Sequence, residues 1–156
     1  MNMKKLIPSL LLTLGVGALA GVITAGESSG EWYLNLAKPS YQLPSWLFSP
    51  VWTSLYILMG ISFYKVWKKP LSRERNIAVT LFLVQLLLNF LWSILFFSLH
   101  SPGLALIDIV MMWIAILLTI FSSARLSKTA AWLLVPYIMW VSFATILNWD
   151  IWRMNS

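Results

Sequence analysis

Trp32-Tyr33-Leu34-Asn35-Leu36-Ala37-Lys38-Pro39, continued by Tyr41, Pro44, Trp46, Phe48 and Pro50 and closed by Trp52-Thr53-Ser54-Leu55-Tyr56, is unlike any other stretch of the chain. Lys38, the three prolines and several small polar residues interrupt any long helix here. An aromatic nevertheless returns every few positions, which a merely solvated loop does not need. Rings with polar tips suit a membrane–water boundary or the roof of an apolar pocket. The stretch reads as a lid, and the long apolar segments on either side as the walls beneath it.

Composition agrees with such walls. The chain has 156 residues, 60% of them hydrophobic and only 10% charged. A soluble domain carries roughly a quarter charged residues and under half apolar ones. An integral membrane protein results, a single domain over residues 1–156 with no room for a separate soluble unit. No cysteine is present, which removes disulfides and thiolate metal sites. The net charge of +6 is placed as a membrane-orientation signal, so nucleic acid is not an expected partner and the lipid bilayer is.

Working outward from the lid, five helices are expected, at about 6–25, 50–67, 77–98, 102–123 and 129–149. The first follows Lys4-Lys5; Ala18-Leu19-Ala20 imitates a signal-peptide cleavage site, whereas the Gly17/Gly21 pair suits a retained span that another helix approaches closely. Ser49-Pro50 and Ser101-Pro102 both look like an N-cap with proline at the first helical position. The tail from Asp150 to Ser156 is too short to fold alone. Nine cationic residues (Lys4, Lys5, Lys65, Lys68, Lys69, Arg73, Arg75, Arg125, Lys128) fall on one side and two, Lys38 and Arg153, on the other. In a bacterial cell membrane that bias puts the N-terminus in the cytoplasm, with lid and C-terminus outside.

The candidates for chemistry are aromatic and amide side chains. Gln85, Asn89 and Trp92 share one helical face, and amides in hydrocarbon are costly enough to turn inward. For Gln85, interhelical bonding and ligand contact weigh equally; for Asn89, flanked by aromatics, ligand contact is favoured. Trp52 and Tyr56 lie one turn apart below the lid, whose Trp32, Tyr33, Pro44 and Phe48 are further ligand-facing candidates. Pro136-Tyr137, Trp140, Ala144 and Asn148 follow at helical spacing, with Pro136 permitting a kink where a cavity widens. This inventory fits a flat, mostly apolar ligand with a weakly polar rim. Some of the ten tryptophans belong to interfacial belts, Trp67, Trp149 and Trp152 among them. Asp108 is the one acid well inside a span and favours a structural role over a proton site. His100, in a short connection, is read as solvated rather than as a haem ligand. No nucleophile–base pair, facing carboxylates, phosphate loop or metal cluster is present, so no metal or resident cofactor is expected.

These residues carry a resemblance. Trp32-Tyr33 with Lys38-Pro39, Pro50-Val51-Trp52-Thr53 with Leu55-Tyr56 and Met59-Gly60, Gln85 through Trp92 with Phe96-Phe97, and Pro136-Tyr137 through Trp140, Phe143-Ala144 and Leu147-Asn148 resemble the TspO/MBR family over nearly the whole chain. The resemblance implies a five-helix bundle, a homodimer, and a pocket that opens toward the loop after the first helix. It implies binding of porphyrins, protoporphyrin IX and haem among them, and of benzodiazepine-type ligands. It implies light- and oxygen-dependent breakdown of protoporphyrin IX involving Trp52 and Trp140, with Asn89 contacting ligand. Sterol recognition is not expected, since Leu147 to Arg153 lacks the tyrosine of the family's sterol pattern. Two other function classes stay open: a carrier of hydrophobic ligands, for which no inverted repeat is apparent, and a scaffold using the Gly17/Gly21 face.

Overall fold

The computed structural model describes all 156 residues, Met1–Ser156. The fold is all-helical: α1 (Met3–Glu27), a short α2 (Glu31–Asn35), α3 (Ser45–Trp67), α4 (Arg73–Ser93, prolonged by a π-helical turn Ile94–Ser98), α5 (Pro102–Ala124), α6 (Lys128–Leu133) and α7 (Val135–Asn155). With α6 and α7 taken as one segment, five helices are long and apolar enough to cross a membrane. The shortest has 23 residues, about 35 Å at 1.5 Å per residue, against a hydrocarbon core of about 30 Å.

The packing is that of a protein whose solvent is lipid. On α1 only Ser9, Thr13 and Ala20 are buried, whereas Leu11, Leu19 and Val22 point outward. Small and hydroxylic side chains face the bundle because they let backbones approach, and hydrocarbon accepts the large apolar ones. Gly60 meets Leu10 and Thr13, and Gly17 meets the face of the Tyr56 ring, so α1 and α3 lie in close apposition. The Thr13 hydroxyl donates to the Tyr56 carbonyl (2.8 Å) across the same seam. Gly21 has nothing within 4 Å. The pair thus divides: Gly17 serves α3, and Gly21 lies on the outer surface.

Two helix limits differ from expectation. Ser49-Pro50 does not open the second span; α3 begins at Ser45, after Pro44 in extended conformation, and Pro50 lies inside it. The last helix does not stop near Trp149 but runs to Asn155, so the tail is its final turns. Ser101 caps α5 as expected, accepting from Leu104 N–H (3.3 Å), and Ser72 and Ser127 cap α4 and α6 in the same way. Trp46 and Trp132 are widely exposed, as are Trp149 and Trp152, whose rings pack together at 5.4 Å. Trp67 is instead half-buried, stacked on Phe63, with Lys5 Nζ 5.4 Å from its ring centroid.

The break at Leu134, just before Pro136, positions the site. The α3 backbone lies close to α6 but not to α7, so α3 and α7 diverge above the break and meet only through side chains. At the far end of α4 the wide turn closed by Leu99 N–H to Ile94 O (2.9 Å) brings both Phe96 and Phe97 into the interior.

Candidate functional site

The wedge between α3 and α7 is floored by a polar network. Tyr56 O–H donates to Asn89 Oδ1 (2.5 Å), Asn89 Nδ2 donates to the Tyr137 hydroxyl (2.8 Å), and Tyr137 O–H donates to Gln85 Oε1 (2.7 Å). All four side chains are buried. Both polar atoms of the Asn89 amide are therefore engaged by tyrosines of two other helices. The Gln85 amide nitrogen has the Met59 sulfur at 4.0 Å.

Above this floor the walls are rings. Trp52 stacks on Tyr56 (centroids 5.6 Å) and stands edge-on to Tyr137 (6.3 Å) and to Trp140 (6.4 Å, interplanar 90°). Phe48 meets Trp140 at 5.6 Å, Phe143 meets it at 5.7 Å, and Tyr41 closes on Phe143 at 6.2 Å. Ala144 lies one turn beyond Trp140 and packs against the same core. The Trp140 indole N–H is buried without an acceptor. A donor left unpaired in an apolar site costs free energy that a ligand acceptor would recover.

The remaining candidates gather under the other half of the lid. Trp32 stacks on His100 (4.4 Å, 15°) and stands edge-on to Phe96; Tyr33 packs against Phe96 and Phe97. Trp92 stacks on Phe96 (5.0 Å), and its indole N–H donates to Asn148 Oδ1 (2.9 Å) while Asn148 Nδ2 donates to Pro102 O (2.9 Å). Asn148 thus joins α4, α5 and α7. Pro44 is exposed, immediately before α3. His100 has φ 50°, a left-handed backbone unusual outside glycine, and its ring also lies 3.5 Å from a Glu27 carboxylate oxygen. Asp108 is buried with neither carboxyl oxygen hydrogen-bonded, so it forms no interhelical bond.

Sequence reasoning missed the fasteners of the lid. Asn155 Nδ2 donates to Ala37 O (2.9 Å) and Ala37 N–H donates to Asn155 Oδ1 (3.0 Å). The Tyr41 hydroxyl donates to Asp150, which also receives Arg153 (3.0 Å). That bond to Asp150 holds the Tyr41 hydroxyl above the usual phenol range. Burial pushes the Tyr33 hydroxyl up as well, against the opposing effect of its hydrogen bond with Gln42. Lys38 Nζ is bound by the carbonyls of Tyr33 and Leu36 and lies 4.5 Å from the Tyr33 ring centroid. Phe143, three residues after Trp140, and Tyr41, in the aromatic run, were within reach of periodicity; Asn155 carried no such signal.

The order of motifs recurs in known proteins. The sequence matches the TspO/MBR family profile over residues 9–153. It is 46% identical over 160 residues to the tryptophan-rich protein TspO of Chlorobaculum tepidum, covering 98% of this chain and 99% of that one. The tryptophan-rich protein TspO of Archaeoglobus fulgidus is 43% identical over the full length of both. The translocator protein of Sus scrofa is 36% identical across 96% of this chain and 91% of its own. A match that spans the lid, all five membrane-crossing segments and both aromatic clusters leaves one assignment: this multi-pass membrane protein belongs to the TspO/MBR family.

Proposed function

We propose that this chain binds porphyrins, protoporphyrin IX or haem, beneath its lid and acts as a sensor or regulator of tetrapyrrole levels. The observation that supports this most is the ring cluster Phe48, Trp52, Trp140 and Phe143 between two diverging helices, with the Trp140 N–H unpaired. A flat macrocycle finds apolar faces there and one donor at its edge. Two rings flanking a planar ligand need about 7 Å between their faces, twice a carbon–carbon contact. The present ring contacts leave less, so entry requires the lid to lift and Phe48 to part from Trp140.

Light-dependent breakdown belongs to the same proposal. The porphyrin absorbs the light and sensitises oxygen, and the protein supplies placement and oxidisable indoles at Trp52 and Trp140. Titration of the purified protein with protoporphyrin IX, followed by tryptophan quenching, tests binding; absence of saturable quenching overturns it. Trp52→Phe and Trp140→Phe are expected to keep most of the binding while slowing light-dependent porphyrin loss in oxygenated detergent. Equal losses of both would leave these rings as binding groups only. Vectorial uptake of porphyrin into proteoliposomes would instead mark a carrier.

The lid fasteners set a kinetic expectation. Asn155→Ala removes both bonds to Ala37, and at about 0.5 kcal/mol for each exposed bond, porphyrin on- and off-rates should both rise roughly fivefold. Stopped-flow quenching measures both; unchanged rates would mean that the lid opens elsewhere.

The orientation in a bacterial cell membrane, N-terminus inside with lid and C-terminus outside, is proposed from the nine-to-two cation bias, and the homodimer from the family resemblance. Cysteine introduced at the exposed Ser29 should react with an impermeant reagent in intact cells, and at Leu71 only after permeabilisation. The opposite labelling pattern reverses the topology.

A further inference from the structure

The floor of the site offers a ligand little polar capacity, because Tyr56, Asn89, Tyr137 and Gln85 are joined to one another. The roof is different. Gln42 Nε2 donates to the Tyr33 hydroxyl (2.9 Å), which leaves two neighbouring groups unused. One is Gln42 Oε1, buried without a donor; the other is the Tyr33 hydroxyl proton, which has no acceptor. Tyr33 is held in place by Phe96 and Phe97 and by Lys38 on its carbonyl, so the pair is fixed on the inner side of the lid.

An acceptor beside a donor selects its complement. A protonated carboxyl or a carboxamide carries a donor and an acceptor on one carbon, at the spacing of two parallel hydrogen bonds. An ester offers acceptors alone and leaves Gln42 Oε1 unpaired, which costs more than a weak contact gains. We infer that Gln42 and Tyr33 form a specificity site on the lid for the carboxyl or carboxamide edge of the ligand. Tyr33 O–H donates to the ligand carbonyl oxygen, and the ligand O–H or N–H donates to Gln42 Oε1. The inference rests on the porphyrin reading above and adds the polar edge to it. It also places discrimination between ligands on the lid, while the helices supply the apolar surface.

Three porphyrins separate the possibilities: protoporphyrin IX, its dimethyl ester and its bis-amide. The bis-amide keeps donor and acceptor without an ionisable group. Wild type is expected to bind the bis-amide about tenfold more tightly than the diester, the value of one to two hydrogen bonds at a buried site, and the acid gains the same advantage only where its carboxyl is protonated. Gln42→Met keeps the side chain's length without its amide, and Tyr33→Phe removes the hydroxyl. Gln42→Met removes the acceptor that the bis-amide uses and the diester cannot, and should erase the preference between them; Tyr33→Phe removes a donor that amide and ester carbonyls share, and should weaken both while the preference persists. Equal binding of bis-amide and diester by wild type overturns the inference while the porphyrin reading stands. So does a Gln42→Met variant that weakens all three alike and keeps the preference, which marks Gln42 as lid packing. Failure of wild type to bind any of the three removes the porphyrin reading, and this inference with it.

Discussion

Asn89→Leu is expected to lower stability by about 2–4 kcal/mol, seen as a fall of roughly 5–10 °C in the detergent unfolding midpoint. Leucine has asparagine's branching and number of side-chain heavy atoms, so no cavity forms and most of the cost lies in polar atoms. The substitution removes the only acceptor of Tyr56 O–H, which stays buried, and orphaning such a donor costs about 1–3 kcal/mol. It also removes the bond to Tyr137, whose hydroxyl keeps Gln85 as acceptor. Interhelical bonds in membranes average about 0.6 kcal/mol, so this second loss is small. Tyr56→Phe in the Asn89→Leu background should recover most of the deficit, since the orphaned hydroxyl is then gone. Porphyrin affinity should change little compared with stability. The opposite result, affinity lost at an unchanged midpoint, would show that the amide turns from the tyrosines to the ligand.

Asn89 illustrates where the sequence is readable and where it stops. Its spacing from Gln85 and Trp92 identified the inward face, because an amide in hydrocarbon has nowhere else to go. Its partners stand 33 and 48 residues away on other helices, and nothing local distinguishes a tyrosine hydroxyl from a ligand atom. The five spans were legible for the same reason that packing is not: length and apolarity are local, and contact is not. Ser101-Pro102 was a true helix start, whereas the similar Ser49-Pro50 was not, because Pro44 already ends the extended lid and Ser45 to Phe48 can then turn into helix. Read from the sequence, the last helix ends near Trp149 and Asp150 to Ser156 form a tail. Asp150 lies beyond the apolar core of α7, where a carboxylate costs little and can hold Tyr41 and Arg153. The lid was visible as an aromatic, proline-broken run; that it is pinned by Asn155, 118 residues after Ala37, was not.

Gly17→Leu is expected to cost about 3 kcal/mol, near the upper end for overpacking a well-filled interior, while Gly21→Leu one turn later should stay within about 0.5 kcal/mol. A Cβ at Gly17 would lie 2.5 Å from Tyr56 Cδ2, 2.6 Å from Cε2 and 2.9 Å from Cγ. The flexible end of a side chain could retreat from such a contact, but this ring cannot. Its hydroxyl is bound to Asn89, its face is stacked on Trp52, and its backbone carbonyl accepts from Thr13 on α1 itself. Relief must come from parting α1 and α3, which also opens the close approach at Gly60. At Gly21 there is nothing within 4 Å, and a leucine there adds one more apolar side chain to an already apolar outer surface. The contrast therefore isolates the packing term from helix propensity, since both substitutions change glycine to leucine in the same helix. Because Tyr56 and Trp52 move together, Gly17→Leu should also alter porphyrin quenching of tryptophan, and Tyr56→Ala should restore room for the leucine and cancel most of its own penalty in the double variant. Equal tolerance of leucine at both glycines would mean that α1 does not pack its Gly17 face on α3, and that the ring of Tyr56 is free to move without its neighbours.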